Sequence, residues 1–557
     1  MCHTAFPDAC RGCPRQCLRC LPCYLGLRHD FPDLVIAADR RPTERAAFRL
    51  LAWFDAAANR LYGWKANPLY QSGTIVVALF LVILVTGLWL ILFYRVGAPY
   101  DSVARITADR WVGNWMRGVH RYASDAAVLA TLVHAFRMFA QGRSWGPRAL
   151  AWVTGVGLLG LILVCGWTGY VMVWDAFGQT LAREGARLLD VLPILSEPTS
   201  RAFTGERELP PAFFFLNLFA HIGIPLALGI GLWLHIARVA RPALLPPKPL
   251  LYAVIGVLVA ITLLLPITME PAASAFHLPE TVRTDLFFAF WLPLVRPLRA
   301  GHALLAMLAG AALLFAVPLF TRRRAAVAPL PSSVDADICV GCEQCAADCP
   351  YDAITMIARA PGGRSDEVAR VDPARCVSCG ICAGSCAPMG VGPPGRTGRD
   401  QLAEARAFAA APERRPGQHV VIACDRGAER WGAAVAATGA AVLPVDCAGN
   451  LHTSIIELFV RGGAGGVLVV ACPPRDCWNR EGPRWLLDRM YNDREAELQA
   501  RVDRRRVRVT YANAGETTEV LQALGAFVAD TRTLGIARAE PGAVGAECEP
   551  EPMASDR

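Results

Sequence analysis

Apolar residues run in long blocks through the first three-fifths of the chain and then shorten abruptly. Six blocks, at about 70–94, 115–140, 149–174, 212–238, 249–268 and 300–321, reach or approach the roughly 20 residues that a helix needs to cross a bilayer. The first, third, fifth and sixth hold almost no charge, whereas the second carries Arg117, Arg121, Asp125 and Arg137. Charges inside a span face a cavity or a cofactor rather than lipid. After Arg324 the linker "AAVAPLPSSV" leads into a short stretch rich in Cys, Gly and Pro. From 417 to 535, "HVVIAC", "AVLPVDC", "GVLVVAC" and "VRVTYA" alternate with helical stretches, the pattern of buried parallel strands.

These patterns predict a multidomain chain. A Cys-rich segment covers 1–49 and an all-α membrane domain 50–325, with a four-helix bundle and two extra spans. A compact cysteine-dense domain of ferredoxin-like size follows at 326–395, an α/β parallel-sheet domain at 415–535 and a disordered acidic tail at 536–557. The basic links "RMFAQGRSWGPR", "ARVARPALLPPK" and "TRRR" fall on one side of the membrane, against Arg95, Arg105 and Arg110 on the other. The positive-inside bias makes the first side cytoplasmic. The expectation is a multi-pass protein of the cytoplasmic membrane with its N-terminus and its cysteine-rich domains in the cytoplasm. No cleavable signal peptide is evident.

Composition agrees: 54% hydrophobic and 19% charged residues is too apolar for an ordinary soluble protein. The net charge of +8 comes largely from residues at the ends of apolar blocks, so the partner is membrane lipid and not nucleic acid. Cysteines are clustered: six within 1–23, eight within 339–386, and four at 424, 447, 472 and 477, with Cys165 and Cys548 alone. C-x2-C spacing suits metal or cluster ligation, in a reducing compartment, better than disulfides.

Two blocks carry paired histidines. His120 and His134 stand fourteen residues apart on the second, His221 and His235 fourteen apart on the fourth. Fourteen helical residues rise about 21 Å and return to nearly the same face. Two antiparallel helices therefore offer two stacked pairs, His120 with His221 and His134 with His235, each able to clamp a haem iron. Gly73 and Gly87 repeat the interval on the first block, Gly155 and Gly169 on the third, where a missing side chain admits a flat macrocycle.

Residues 50–322 resemble the cytochrome b family of bc1 and b6f complexes, on "WMRGVH" (115–120), "TGYVMVWD" (168–175) and "RTDLFFAFWLPL" (283–294). The resemblance implies two haem b groups, Arg117 facing a haem propionate, quinone or quinol as partner, and an outer quinone site at Trp174, Asp175 and Asp285. It also leaves a homodimer open. Val173 replaces the family's Pro, and Leu286 and Phe287 replace its Trp and Tyr, so the outer site is expected to be altered or inactive. No cysteine precedes Gly73 where b6-type proteins attach a further haem, and none is expected.

"CVGCEQCAADCP" (339–350) and "CVSCGICAGSCAP" (376–388) each give C-x2-C-x2-C-x3-C, the run that holds paired 4Fe–4S clusters, with each fourth cysteine serving the other cluster. One ligand set is then Cys339, Cys342, Cys345 and Cys386, and the other Cys376, Cys379, Cys382 and Cys349; a zinc module is the rival. In the α/β domain, Cys424, Cys447 and Cys472 end predicted strands and Cys477 follows in "ACPPRDCW". Strand C-termini are where sites assemble in such sheets, and four thiolates there suit a 2Fe–2S cluster. Residues 418–530 resemble the delta iron–sulfur subunit of methyl-viologen-reducing hydrogenase, on "DCAGN" and "GAGGVLVVACPPRDC". That family passes electrons to a flavoprotein. The N-terminal cysteines at 2, 10, 13, 17, 20 and 23 leave a further cluster and zinc both open.

The sequence reading is therefore a membrane electron-transfer protein, a subunit of a quinone-linked oxidoreductase. Electrons from a cytoplasmic flavoprotein or dehydrogenase would enter at the 2Fe–2S domain and pass two 4Fe–4S clusters and two haems to the quinone pool. The alternative is a non-catalytic wiring subunit of a hydrogenase, formate dehydrogenase or heterodisulfide-reductase-like complex. A redox sensor or metal-storage module is a third, remote class. No Rieske run, nickel-site cysteine pair or nucleotide fingerprint is present, and His277, His302, His419 and His452 receive no role.

Overall fold

The computed structural model describes residues 42–535 except 193–197, 204–208, 238, 275, 277–284, 323–329, 360–362, 493 and 495. The N-terminal cysteines and the acidic tail lie outside the described residues.

Helix α1 (Pro42–Ala66) lies ahead of the membrane part and kinks at Gly63, which takes φ 69°. It is two-faced. Phe48, Leu51, Ala52 and Ala56 are buried, while Leu50, Trp53, Phe54, Leu61 and Tyr62 are exposed. Then come α2 (Ser72–Ile91), α3 (Pro99–Ala108), α4 (Gly113–Ala140), α5 (Ala149–Val173), α6 (Ala176–Leu189), α7 (Pro211–Ile236), α8 (Lys248–Leu264) and α9 (Ala300–Thr321). Five of these, α2, α4, α5, α7 and α9, are long and apolar enough to cross a membrane. Helix α8, expected as the fifth of six spans, has 17 residues, at the short limit for a crossing. Outward-facing Leu88, Leu129, Phe219 and Ile230 are exposed, as helices turned toward hydrocarbon require. Antiparallel α2 packs along α4 and α5 along α7; these two pairs form the bundle.

The cysteine-dense domain is built on two short antiparallel pairs. Strands β1 (Ser333–Val334) and β4 (Val391–Gly392) form one, β2 (Ile354–Ala358) and β3 (Glu367–Val371) the other. Each half holds a short helix, Gln344–Ala347 and Ile381–Ser385. Helix α10 (Gly398–Ala409) leads on, its start fixed by a Thr397–Asp400 capping box. The last domain is a four-stranded parallel sheet. Strands β5 (Val420–Cys424), β6 (Ala441–Val445), β7 (Val467–Ala471) and β8 (Val507–Tyr511) lie in the order β6-β5-β7-β8. Helices α11 (Asp425–Ala436), α12 (Thr453–Arg461), α13 (Gly482–Tyr491) and α14 (Thr517–Arg532) connect and cover it. All four strands sit where their apolar runs predicted them.

Buried charges bolt the soluble part to the bundle. Arg137, on the last turn of α4, lies between Asp55 of α1 (2.7 Å) and Asp476 of the β7–α13 loop. Gln141 Nε2 donates to the same Asp476 carboxylate at 2.5 Å. Arg143 and Arg148 donate at 2.6 Å to the carbonyls of Cys477 and Trp478. Arg143, Arg148 and Arg426 all lie over the Trp478 ring, at 5.3, 4.2 and 4.8 Å, which adds cation–π attraction. Arg241 pairs with Glu481 at 2.9 Å and donates to the Cys349 carbonyl at 3.2 Å. On the flank, α1 meets the start of α14 through Asn59–Glu516 (2.8 Å) and Arg60–Glu519 (2.9 Å).

Removing one member of a buried ion network leaves uncompensated charge and costs about 3–5 kcal/mol, whereas replacing the whole set by apolar groups is far better tolerated. Arg137→Leu should therefore lower the melting temperature and open the soluble domains to limited proteolysis. The triple variant Asp55→Leu, Arg137→Leu, Asp476→Leu should recover much of the loss in the same two assays.

Candidate functional site

The bundle surrounds a cavity of 2140 Å³ lined by His120, His134, His221 and His235. Ordinary small-ligand pockets measure about 300–1,000 Å³, so this one has room for more than one large ligand. His120 and His134 lie on α4, His221 and His235 on α7, as the fourteen-residue spacing predicts. The rings of His120 and His221 face each other with centroids 6.4 Å apart.

Each imidazole is anchored through Nδ1 by the neighbouring helix. His120 Nδ1 meets Thr86 Oγ1 at 3.0 Å and the Ile83 carbonyl at 3.1 Å. His221 Nδ1 meets Thr168 Oγ1 at 2.9 Å and the Cys165 carbonyl at 3.0 Å. Thr154 Oγ1 holds His235 Nδ1 at 2.9 Å and Ser72 Oγ holds His134 Nδ1 at 3.3 Å. The tautomer follows from the partners. Carbonyls only accept. The three threonine hydroxyls already donate to carbonyls of their own helices, Thr86 to Val82 (2.7 Å), Thr168 to Cys165 (2.7 Å) and Thr154 to Leu150 (2.9 Å). Nδ1 of these three histidines must therefore carry the proton, which leaves the Nε2 lone pair for a metal. Two imidazoles bound to one metal through Nε2, at about 2.0 Å per bond, put their ring centroids roughly 6.3 Å apart. The His120–His221 pair already has that separation.

The glycines lie where expected but with a more specific neighbour. A Cβ on Gly73 would stand 3.0 Å from His134 Cε1, on Gly87 3.1 Å from His120 Cε1, on Gly155 3.3 Å from His235 Cε1 and on Gly169 3.0 Å from His221 Cε1. Each glycine gives room to the imidazole that its preceding hydroxyl holds. Sequence reasoning missed Ser72, Thr86, Thr154 and Thr168, although the signal was present: every one of the four glycines follows a Ser or Thr.

Arg117 lines the cavity one turn before His120, with Nη1 on Thr107 Oγ1 at 2.8 Å. Of the three residues expected at an outer quinone site, Asp175 and Asp285 line the same cavity, and all three are held by contacts within the protein. Asp175 caps α6, accepting from Gly178 N at 2.9 Å, and also accepts from Glu270 N at 3.2 Å. Trp174 takes φ 54° and packs on Phe203, Phe213 and Phe214. Asp285 accepts from Arg121, from Tyr170 Oη at 2.8 Å, and from the backbone N–H groups of Phe287, Phe288 and Ala289 at 2.9, 2.6 and 3.3 Å. Arg121 also pairs with Asp125.

In the cysteine-dense domain, Cys339, Cys342, Cys345 and Cys386 line one small cavity, the first of the two sets read from the spacing. Of the other set, Cys349 and Cys376 lie within electrostatic reach of Cys382. Burial, with these neighbours, pushes the Cys382 thiol up to about 12, and burial raises Cys345, Cys349, Cys379 and Cys386 as well. Thiols so disfavoured as free anions fit a cationic iron–sulfide core, which takes them as thiolates. The backbone matches that use. Gly341 and Ser378 at one loop position, and Glu343 and Gly380 two residues on, all take positive φ, between 59° and 77°. Such left-handed residues turn successive N–H groups inward to form an anion-binding nest. Ala353 N and Gly390 N donate to Cys349 and Cys386 Sγ at 3.3 Å. Among the described residues, no three Cys, His, Asp or Glu side chains are gathered at single-ion distance.

Cys424, Cys447, Cys472 and Cys477 meet at the C-terminal edge of the parallel sheet. Cys424 lies within hydrogen-bond reach of Cys447 and Cys472, and Cys447 within reach of Cys477. Those contacts hold the Cys447 thiol well below the usual range and Cys424 well above it. Ala448 N and Gly449 N donate to Cys424 and Cys447 Sγ at 3.2 and 3.3 Å.

Three families match separate parts of this chain. Residues 61–243 match the family described as cytochrome b/b6/petB, residues 338–390 the 4Fe-4S dicluster domain, and residues 428–535 the methyl-viologen-reducing hydrogenase, delta subunit. The last match begins after Cys424. A solved chain titled "Hyperthermophilic respiratory Complex III" aligns at 17% identity over 46% of this chain and 78% of that one, with a TM-score of 0.37, which carries no argument about fold. A cytochrome b domain implies haem b, and a dicluster domain implies 4Fe–4S clusters. Their union in one chain makes it a membrane electron-transfer protein.

A valine at Gly87 would drive its branch into the His120 ring. With haem held by the two histidine pairs, as proposed below, Gly87→Val should lose the His120/His221 haem and keep the other, halving the pyridine hemochromogen yield per chain.

Proposed function

For this membrane electron-transfer protein, we propose a link between a cytoplasmic low-potential redox partner and the quinone pool, made through three cluster sites and two haems. The observation that carries the reading is continuity. One cavity runs from the His120/His221 level past His134 and His235 to a wall that includes Cys477 of the soluble domain and Val377, beside Cys376. Haem iron and iron–sulfur clusters each take up and release one electron, and the protein sets their position and potential.

The chain's own residues would act as follows. Nε2 of His120 and His221 would hold the outer haem, Nε2 of His134 and His235 the inner, and Gly73, Gly87, Gly155 and Gly169 would leave room for the imidazoles that bear them. Arg117 would face a propionate. The two cysteine quartets named above would hold two 4Fe–4S clusters, and Cys424, Cys447, Cys472 and Cys477 a 2Fe–2S cluster. Helix α8 would be the fifth crossing, bringing the total to six. Arg143, Arg148 and Arg241 at the iron–sulfur end support a cytoplasmic location for that end.

The second reading, a wiring subunit whose partner owns the substrate site, is favoured by Asp285. With five donors on its two oxygens, it is poorly placed to take a proton from quinol. In the first reading, a quinol analogue added to the oxidised, purified full chain should reduce haem b, followed by its α-band. Absence of reduction, together with stoichiometric co-purification of a dehydrogenase or flavoprotein, would favour the second.

A further inference from the structure

The order of domains along the sequence suggests that electrons come in at the C-terminal α/β domain, cross the 4Fe–4S pair and then reach the haems. The packing points to a different order. The loop Asp476–Asn479 is enclosed on two sides. Toward the bundle, Asp476 takes Arg137, the Cys477 carbonyl takes Arg143 and the Trp478 carbonyl takes Arg148. Arg137 stands one turn beyond His134, and Cys477 lines the cavity that His134 and His235 share. Toward the cysteine-dense domain, Asn479 Nδ2 donates to the Cys379 carbonyl at 3.3 Å, and Cys379 lies within electrostatic reach of Cys447.

Further contacts at this junction are buried or partly buried. Arg489 of α13 donates to Ser385 Oγ at 2.9 Å and to the Gly449 carbonyl. Asp348, fully buried, accepts from Ser385 at 2.6 Å and from Arg494 at 2.5 Å. A Cβ on Gly482, at the start of α13, would lie 3.1 Å from both Cys447 and Cys477 Sγ, so the helix closes directly over the sulfurs.

Exposure points the same way. Cys424, Cys447 and Cys477 are 5%, 4% and 3% exposed and only Cys472 of that site is partly exposed, whereas Val340, between Cys339 and Cys342, is 42% exposed. Cys339 and Cys342 are themselves partly exposed.

We infer that the Cys424/Cys447/Cys472/Cys477 site is an internal junction, placed between the Cys349/Cys376/Cys379/Cys382 site and the His134/His235 pair, and that the Cys339–Cys342 edge is where a partner delivers electrons. The inference rests on the function proposed above. In the forward direction a reduced one-electron carrier protein loses one electron at that edge and the inner haem site gains one. No bond forms or breaks. A partner that docks on the sulfur face of the α/β domain would find the face covered by this chain's own bundle.

The competing route bypasses the junction, since Val377 and Arg375 also line the shared cavity. The test uses the purified full chain, after iron, sulfide and haem contents establish that all sites are filled; failure at that stage rejects the proposed function rather than the junction. Cys447→Ser should remove the 2Fe–2S signal. On photochemical reduction of the 4Fe–4S sites in that variant, the rapid phase of haem reduction should be lost while bleaching of the 4Fe–4S absorption persists. A rapid haem phase that survives without the 2Fe–2S signal would establish the bypass and overturn the junction.

A measurement on the unaltered chain keeps the inference exposed should the variant not assemble. Spin relaxation of the reduced 2Fe–2S centre should be faster when the inner haem is ferric than when it is ferrous. Equal relaxation in both states would place the centre away from the haem and overturn the inference.

Discussion

The membrane domain depends on where four imidazole protons go. A histidine in an apolar bundle is costly unless both ring nitrogens are used. Here the neighbouring helix takes Nδ1 of each, through Thr86, Thr168, Thr154 and Ser72. That contact sets the tautomer for the threonine-held rings and fixes the ring planes. It also couples helices in pairs, because the hydroxyl on α2 or α5 and the histidine on α4 or α7 locate each other. A glycine beside each hydroxyl is the steric condition for the contact. The hydrogen bond and the missing side chain form one device used four times, and for the three threonine-held rings it leaves the Nε2 lone pair available.

The parts of this device were unequally visible in the sequence. Histidines and glycines at a common fourteen-residue interval stand out because the helical period turns that interval into a face. The hydroxyls did not, since Ser and Thr in membrane helices are usually read as small packing residues. The two C-x2-C-x2-C-x3-C runs were legible because each is local in the chain. The four parallel strands were legible because buried strands are continuous apolar runs. The roles of Asp285 and Asp175 were not, because the sequence displays a carboxylate but not its donors, five on Asp285 and two backbone N–H groups on Asp175.

Docking of the soluble domains was illegible for another reason. Arg137 joins Asp55, 82 positions before it, to Asp476, 339 positions after it. No periodicity links three such segments. The sequence marks Arg137 only as a charge near the end of an apolar block, which alone reads as an interfacial residue. The same arginines that hold Asp476, Cys477 and Trp478 bring Cys477 to the wall of the cavity that the four histidines line. The α/β domain, last of the domains along the chain, thus meets the bundle directly, as the cysteine-dense domain does through Arg241.

Helix α1 sits under the α/β domain with its other face, Leu50, Trp53, Phe54, Leu61 and Tyr62, uncovered. An amphipathic face of this kind has the chemistry to lie at the headgroup boundary of a lipid layer. The soluble domains would then ride on a float moored to the bundle, held level with the water line. Whatever carrier visits them approaches along a plane instead of from every direction, and its search is correspondingly shorter.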